Sequence, residues 1–197
     1  MAVVLLLHGW SGAGKDMVGK ILCDRYGFQR LAFADELKRM ICEEYAFPIE
    51  WTQTQEGKQR IIPSTSDQTV RQILIQRGQE IRAEQNDLGF FARGVANQII
   101  EKMTSKPSSS RFIITDWRLP IEFSTLESMF ASHYYKLLKV LVRNVQQTES
   151  PVQDQTTEYQ LQKYIFDARI ENDGQSLETL QAEIEQKLYD HIFMNEV

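Results

Sequence analysis

Cysteine is scarce: Cys23 and Cys42 are the only two in 197 residues. Two thiols build no disulfide framework, and these two stand in no metal-binding spacing, so a stapled secreted scaffold and a cysteine-ligated zinc site are both excluded. Histidine is nearly as rare, with His8, His133 and His191 scattered along the chain. A histidine at the end of a strand, as His8 is, reads as structural. No apolar run is long enough for a membrane span or a secretory leader, since the N-terminal one, Val3 to Leu7, is ended by Gly9 and Lys15. Basic residues are in deficit, 22 Lys and Arg against 27 Asp and Glu for a net charge of -5. Without a basic stripe a nucleic-acid duplex is not the expected partner, although a local cluster of cations would serve a small phosphorylated ligand. No Asn-Lys-x-Asp guanine-reading element occurs, which argues against a GTPase, and no internal repeat is visible. The expectation is a soluble, cytoplasmic protein in a reducing compartment, with no membrane partner. Its oligomeric state is not legible, a homodimer being one arrangement left open.

What is present begins at the N-terminus. Hydrophobic residues make up 42% of the chain, enough for a full core in one domain spanning 1–197. The run Val3-Val4-Leu5-Leu6-Leu7 leads into Gly9-Trp10-Ser11-Gly12-Ala13-Gly14-Lys15-Asp16. A buried strand, a glycine-rich turn and a lysine opening a helix make a phosphate-binding loop. Gly12 and Gly14 let the backbone of Gly12, Ala13 and Gly14 bend so that successive N–H groups face an anion, and Lys15 adds a full charge for nucleotide β- and γ-phosphates. The helix through Val18, Ile21 and Leu22 turns its positive end to the same place. Asp16 stands where this motif usually has Ser or Thr. A carboxylate there suits Mg²⁺, directly or through water, and it also complements the helix dipole.

Hydrophobic periodicity predicts strands at 2–7, 28–33, 112–115, 137–142 and 165–170. It predicts helices at 15–26, 34–47, 69–85, 87–103, 120–131 and 177–193, with a short one at 158–163. Asn86 or Asp87 is the expected cap of the helix at 87. Residues 49–68, polar and rich in Gln and Thr, read as a long irregular loop, 105–110 as a linker, and 144–163 as a lid. Continuous apolar strands alternating with helices indicate an α/β fold, a parallel sheet with helices on both faces. The helical excursion at 34–105 is expected to form a lobe of its own.

Ligands of such sheets bind at the carboxyl ends of strands, where Asp116 and Arg143 lie besides the loop. Asp116 there can hold Mg²⁺ or accept a proton, and it can equally cap a turn. Arg118, two residues on, is expected to point into the cleft. On the 69–85 helix, Arg71, Gly78 and Arg82 fall within roughly 20° of one line at 100° per residue. A glycine between two arginines suits close approach by a phosphate or a flat base. It suits equally a solvated basic edge with a glycine chosen for helix packing.

Together these residues resemble the deoxynucleoside monophosphate kinases of phages and large DNA viruses, within the P-loop NTPase-type kinases. The resemblance covers nearly the whole chain. It rests on residues 9–16, on Phe33-Ala34-Asp35-Glu36-Leu37-Lys38, and on the block from Leu74 to Arg82. It continues with Thr115-Asp116-Trp117-Arg118-Leu119-Pro120 and ends with Asp167-Ala168-Arg169-Ile170-Glu171-Asn172-Asp173-Gly174. It implies that Lys15 grips ATP phosphates, that Arg82 and Arg118 contact the acceptor monophosphate or its base, that Lys38 and Arg71 also reach the acceptor, and that the Asn172 turn lies near the adenine. The implied activity is Mg²⁺- and ATP-dependent phosphorylation of a small-molecule substrate, a deoxynucleoside 5′-monophosphate (dNMP). The implied acceptor lobe is 34–105. The lid departs from the pattern: residues 144–162 contain no Arg or Lys, so Arg143 is the candidate clamp on the transferring phosphoryl group. Phe90-Phe91 replaces a Trp often found after the arginine helix, leaving base stacking open. The alternatives are a P-loop kinase for another phosphorylated acceptor such as phosphomevalonate, and a non-catalytic nucleotide-binding module, which the lid composition favours.

Overall fold

The computed structural model describes residues 2–105, 110–147, 160–161, 164–174 and 176–192. Five parallel strands lie in the order β2-β3-β1-β4-β5. They are β1 (Ala2–His8), β2 (Gln29–Leu31), β3 (Arg111–Ile114), β4 (Tyr135–Asn144) and β5 (Ala168–Asn172). β1 is central and wholly buried, which is why it reads as an unbroken apolar run. Its alternate side chains feed two cores. Val3, Leu5 and Leu7 meet α1 (Lys15–Tyr26) and α7 (Leu177–Ile192) through Val18, Leu22, Ile184 and Leu188. Val4 and Leu6 face α2 (Ala34–Tyr45), α4 (Val70–Glu84), α5 (Phe90–Ser105) and α6 (Pro120–Phe130). The helical excursion between β2 and β3 shares this second core with the sheet, so its packing is continuous with the sheet face.

The helix ends follow local chemistry. Gly27 takes the left-handed conformation that closes α1. Thr69 and Gln72 form a reciprocal capping box at the start of α4. Three sequence expectations are corrected. Residues 49–68 carry order: a 3-10 turn at Ile49–Thr52, one helical turn, α3, at Gln55–Lys58, and a bridge between Ile61 and Thr69. The helix expected from 87 starts at Phe90, because Asp87 spends its carboxylate on the Gly89 N–H and on Arg93. The last strand begins at Ala168, and Ile165 is exposed. Most of the lid, the helix at 158–163 save its turn at 160–161, and most of the 105–110 linker lie outside the described residues. No described helix is long and apolar enough to cross a membrane.

β1 is flanked by β3 on one side and β4 on the other. The chain leaves the carboxyl ends of these strands in opposite directions, which opens a crevice there.

Candidate active site at the carboxyl ends of the strands

The glycine loop fills the base of that crevice. Gly12 and Gly14 have φ of 84° and 100°, the left-handed region where a side chain is strained. Gly14 has a second reason to be glycine, since a Cβ would collide with the Asn172 amide. Asn172 at the end of β5 donates to the Ala13 carbonyl (3.2 Å) and accepts from Gly174 N (3.1 Å), so its side chain braces the loop. Lys15 opens α1 and donates to the carbonyls of Gly9 (2.6 Å) and Trp10 (2.9 Å). An entering phosphate therefore competes with two loop carbonyls for this ammonium.

Beside the loop, three cations act on the charge of a fourth. Lys58, half-buried on α3, has its pKa lowered first by burial and then by Lys38, Arg71 and Arg118, while Asp16 opposes the shift. Lys38, Lys58, Arg71 and Arg118 therefore share one field with Asp16 in the first turn of α1. Gln55 ties this region to the loop, donating to Ser11 Oγ (3.3 Å) and accepting from an Arg71 guanidinium nitrogen (2.6 Å). Lys38 also lies 3.4 Å from the Asp35 carboxylate. Clustered like charges repel, and an anion among them would relieve that repulsion.

Two side chains take tasks other than those expected. Asp116 accepts from the backbone N–H groups of Phe33 and Ala34, each at 2.9 Å, one bond to each carboxylate oxygen. This is the capping alternative: the carboxylate at the end of β3 anchors the N-terminus of α2. Among the described residues no three His, Cys, Asp or Glu side chains gather as a metal site. Asp116 and Asp16 thus form no ready-made cage. Asp116→Asn is expected to lose about 1 kcal/mol, because the amide offers one acceptor to two N–H groups. Thermal unfolding at fixed pH checks this. A loss of activity with unchanged stability would return Asp116 to the chemistry.

Arg82 is the second. Its guanidinium donates to the Gly78 carbonyl (3.1 Å), lies over the Phe91 ring (4.9 Å to the centroid) and faces Glu122 at 4.0 Å. It is packed against its own neighbours, not presented as part of a solvated edge. Gly78 is accounted for by packing: a Cβ there would stand 3.0 Å from Leu37 Cδ2 on α2, so that helix, not a ligand, makes the close approach. Phe91 is buried beneath Arg82. Glu122 is itself buried and accepts from the N–H groups of Arg118 and Leu119, both at 2.9 Å. Burial raises its pKa to about 7, with Asp116 adding to the rise and the two N–H groups and Arg82 opposing it. Glu122 thereby fixes the backbone that carries Arg118.

On the other side of β1 a cavity of about 210 Å³ runs from the loop to β4. Gly9, Trp10, Arg143, Asn144, Gln147 and Tyr164 are among its lining residues. His8 lines it too, stacked on Phe166 (5.8 Å between centroids) and bonded to the Trp117 carbonyl (3.2 Å). Burial lowers the His8 pKa to about 4, so its ring is neutral near pH 7 and structural, as its place at the strand end suggested.

No protein-family model and no curated protein matches the chain. Solved structures do. A sugar kinase from Janibacter sp. HTCC2649 aligns with a TM-score of 0.52 and 16% identity over 98% of this chain and 96% of that one. The chain shares the α/β fold of that structure, a parallel sheet covered by helices. A gluconokinase from Sinorhizobium meliloti 1021 aligns at 0.49 and 14% identity over 97% and 94% of the two chains. A dephospho-CoA kinase from Campylobacter jejuni aligns at 0.44 and 15% over 98% of each.

Within this α/β fold Lys15 and Asp16 open α1 at the loop, Lys38, Arg71, Arg118 and Asp16 act on the charge of Lys58, Arg143 and Asn172 lie on β4 and β5, and Arg82, Gly78 and Asp116 make scaffold contacts. Lys58, Gln55 and Glu122 are the additions that sequence reasoning missed. Gln55 and Lys58 lie in a stretch read as loop, where one helical turn leaves no periodicity to detect. Glu122 stands at the third position of a helix with Pro at its start, and a Glu there is placed to accept from the backbone N–H groups just before the helix, a half of the capping signal available in the sequence.

Proposed function

We propose that this protein is an ATP-dependent kinase whose acceptor is a small phosphorylated molecule, with a deoxynucleoside 5′-monophosphate as the specific substrate. The observation that carries the reading is that Gln55 ties Arg71 and α3 to Ser11 of the phosphate loop, in a neighbourhood where Lys38, Arg71 and Arg118 all act on the charge of Lys58. A neutral sugar hydroxyl gives such a cluster nothing to bind, whereas a phosphate monoester dianion does. The choice of a dNMP rests on the resemblance of the sequence blocks, and phosphomevalonate is the rival acceptor it leaves.

The chemistry then asks little of any general base. An ionised acceptor phosphate oxygen attacks the γ-phosphorus of ATP, forming a P–O bond. The bond to the bridging oxygen breaks and its electron pair leaves with ADP. No proton has to be removed from the nucleophile, consistent with a β3-end carboxylate engaged by backbone. What remains is positioning and charge neutralisation. Lys15 and the loop N–H groups hold the donor phosphates, Arg118, Arg71 and Lys38 hold the acceptor, and Arg143 borders the donor side beside Asn172. Bound Mg²⁺ supplies further neutralisation of phosphate charge, and Asp16 is the side chain that would hold it, together with phosphate oxygens and water. Asp16→Asn is expected to raise the Mg²⁺ concentration giving half-maximal rate, and an unchanged Mg²⁺ dependence would remove Asp16 from that role.

The deciding experiment is a coupled ADP-release assay with each dNMP, each ribonucleoside monophosphate, phosphomevalonate and gluconate as acceptor. Turnover of one or more dNMPs is expected. Turnover of gluconate alone, or ATP binding with no acceptor turned over, would overturn the reading.

A further inference from the structure

Residues 144–162, the stretch expected to supply the cations that clamp a transferring phosphoryl group, contain no Arg or Lys. The α3 segment, which Gln55 ties to the loop, holds one that no sequence signal marked. α3 is a single turn, yet its position is determined. Thr54 Oγ1 accepts the Gly57 N–H (2.9 Å) and caps it. Gly57 is pressed against the preceding 3-10 turn, where a Cβ would lie 2.5 Å from the Trp51 carbonyl oxygen and 2.7 Å from Trp51 Cα. Gln55 then bonds the loop at Ser11 and the acceptor-side Arg71 at once. Lys58, one turn on from Gln55 in α3, is thereby held near the loop and Arg71, where Asp16, Lys38, Arg71 and Arg118 act on its charge. Its half-buried ammonium has no hydrogen bond or ion pair with any described residue. Lys38, by contrast, has Asp35, and Arg71 has Gln55. Three neighbouring cations and one carboxylate leave the ammonium in a positive field, an arrangement relieved by an anion that all of them contact.

We propose that Lys58 is a catalytic residue that binds the phosphoryl group in transit between the loop and the acceptor, so that α3 supplies the clamp the lid lacks. The inference deepens the kinase reading and rests on it. Charge spreads over the equatorial oxygens of the transferring group in the transition state, so a fixed cation there acts on turnover more than on ground-state binding. Lys58→Met keeps the length and apolar stem and removes the charge. It is expected to lower kcat about 10²-fold, while KM for either substrate changes by less than about threefold. Lys58→Arg is expected to recover most of that loss. Removing one of several like charges should leave the melting temperature unchanged or raise it, the opposite of what a merely structural lysine would show. Wild-type-like kcat in Lys58→Met, or a fall in kcat accompanied by a lower melting temperature and no rescue by Arg, would overturn the proposal.

The wild-type acceptor screen tests the kinase reading separately. Should it turn over no acceptor, calorimetry with ADP and aluminium fluoride, which mimics the phosphoryl group in transit, still tests Lys58. Tenfold or greater weakening in Lys58→Met upholds it as a phosphate ligand, and equal affinity overturns it.

Discussion

Lys15→Ala is expected to lower turnover about 10²-fold or more, the scale of losing one strong, aimed electrostatic contact in a transition state. The ammonium opens α1 and lies against the carbonyls of Gly9 and Trp10. It is the charge nearest to where the loop N–H groups would hold the donor phosphates. The same two hydrogen bonds limit the structural cost. They are made by a partly exposed side chain to carbonyls that water can serve in its absence, so the stability loss should not exceed about 1 kcal/mol. Turnover and thermal unfolding must be measured on one preparation, because the claim is the separation of the two. A folded variant with wild-type turnover would remove the phosphate-loop mechanism, whereas a variant that unfolds early would show that Lys15 chiefly holds the loop shut. Lys15→Arg is a useful companion. It retains the charge, but its planar fork does not reproduce the compact ammonium, and it is expected to recover only part of the rate.

What could be read from the sequence about this site was what depends on neighbours along the chain. β1, the glycine turn and α1 are contiguous, and a buried central strand must look apolar, so the strand, its loop and Lys15 were all legible. The parallel α/β arrangement followed from the same local patterns repeated. What was not legible depends on segments meeting in space. Asp116 was recognisable as a carboxylate at a strand end, yet its task is set by the backbone of Phe33 and Ala34, which β2 and α2 bring to it. The shared face of Arg71, Gly78 and Arg82 was geometrically right, but only the placement of α2 decides that Leu37 covers the glycine. Periodicity says which residues share a side and nothing about what lies opposite. Lys58 was hidden for another reason: a one-turn helix in a polar stretch has no period, and its position is held by the Gly57–Trp51 contact rather than by propensity. The lid remains a matter of composition, because residues 148–159 lie outside those described.

Glu122→Gln should change the way stability depends on pH, and the argument involves two buried groups with opposite signs. Glu122 titrates near its ordinary 4.5 in the unfolded chain and at about 7 in the fold. The folded state therefore binds this proton more tightly, and its contribution to stability is present below pH 4.5 and lost as pH rises to about 7. His8 is lowered from 6.5 to about 4, so its contribution is present above pH 6.5 and lost as pH falls towards 4. Between 4.5 and 6.5 the unfolded chain carries the proton on His8 and the folded chain carries it on Glu122. The number bound is equal, and the two slopes cancel. Glu122→Gln removes one of them. The amide oxygen can still accept from Arg118 N and Leu119 N, so the loop behind β3 is expected to keep its shape and activity to fall only a few-fold. Relative to wild type the variant should gain about 3 kcal/mol between about pH 4.5 and about pH 7, the free-energy equivalent of the shift, with no further gain at higher pH. Against its own value near neutrality, the variant should become less stable as pH is lowered, because the His8 slope is no longer offset. Urea unfolding midpoints of both proteins from about pH 5 to about pH 8 check this. A difference between the two that stays constant with pH would mean that Glu122 is ionised throughout, its burial offset by Arg82 at 4.0 Å.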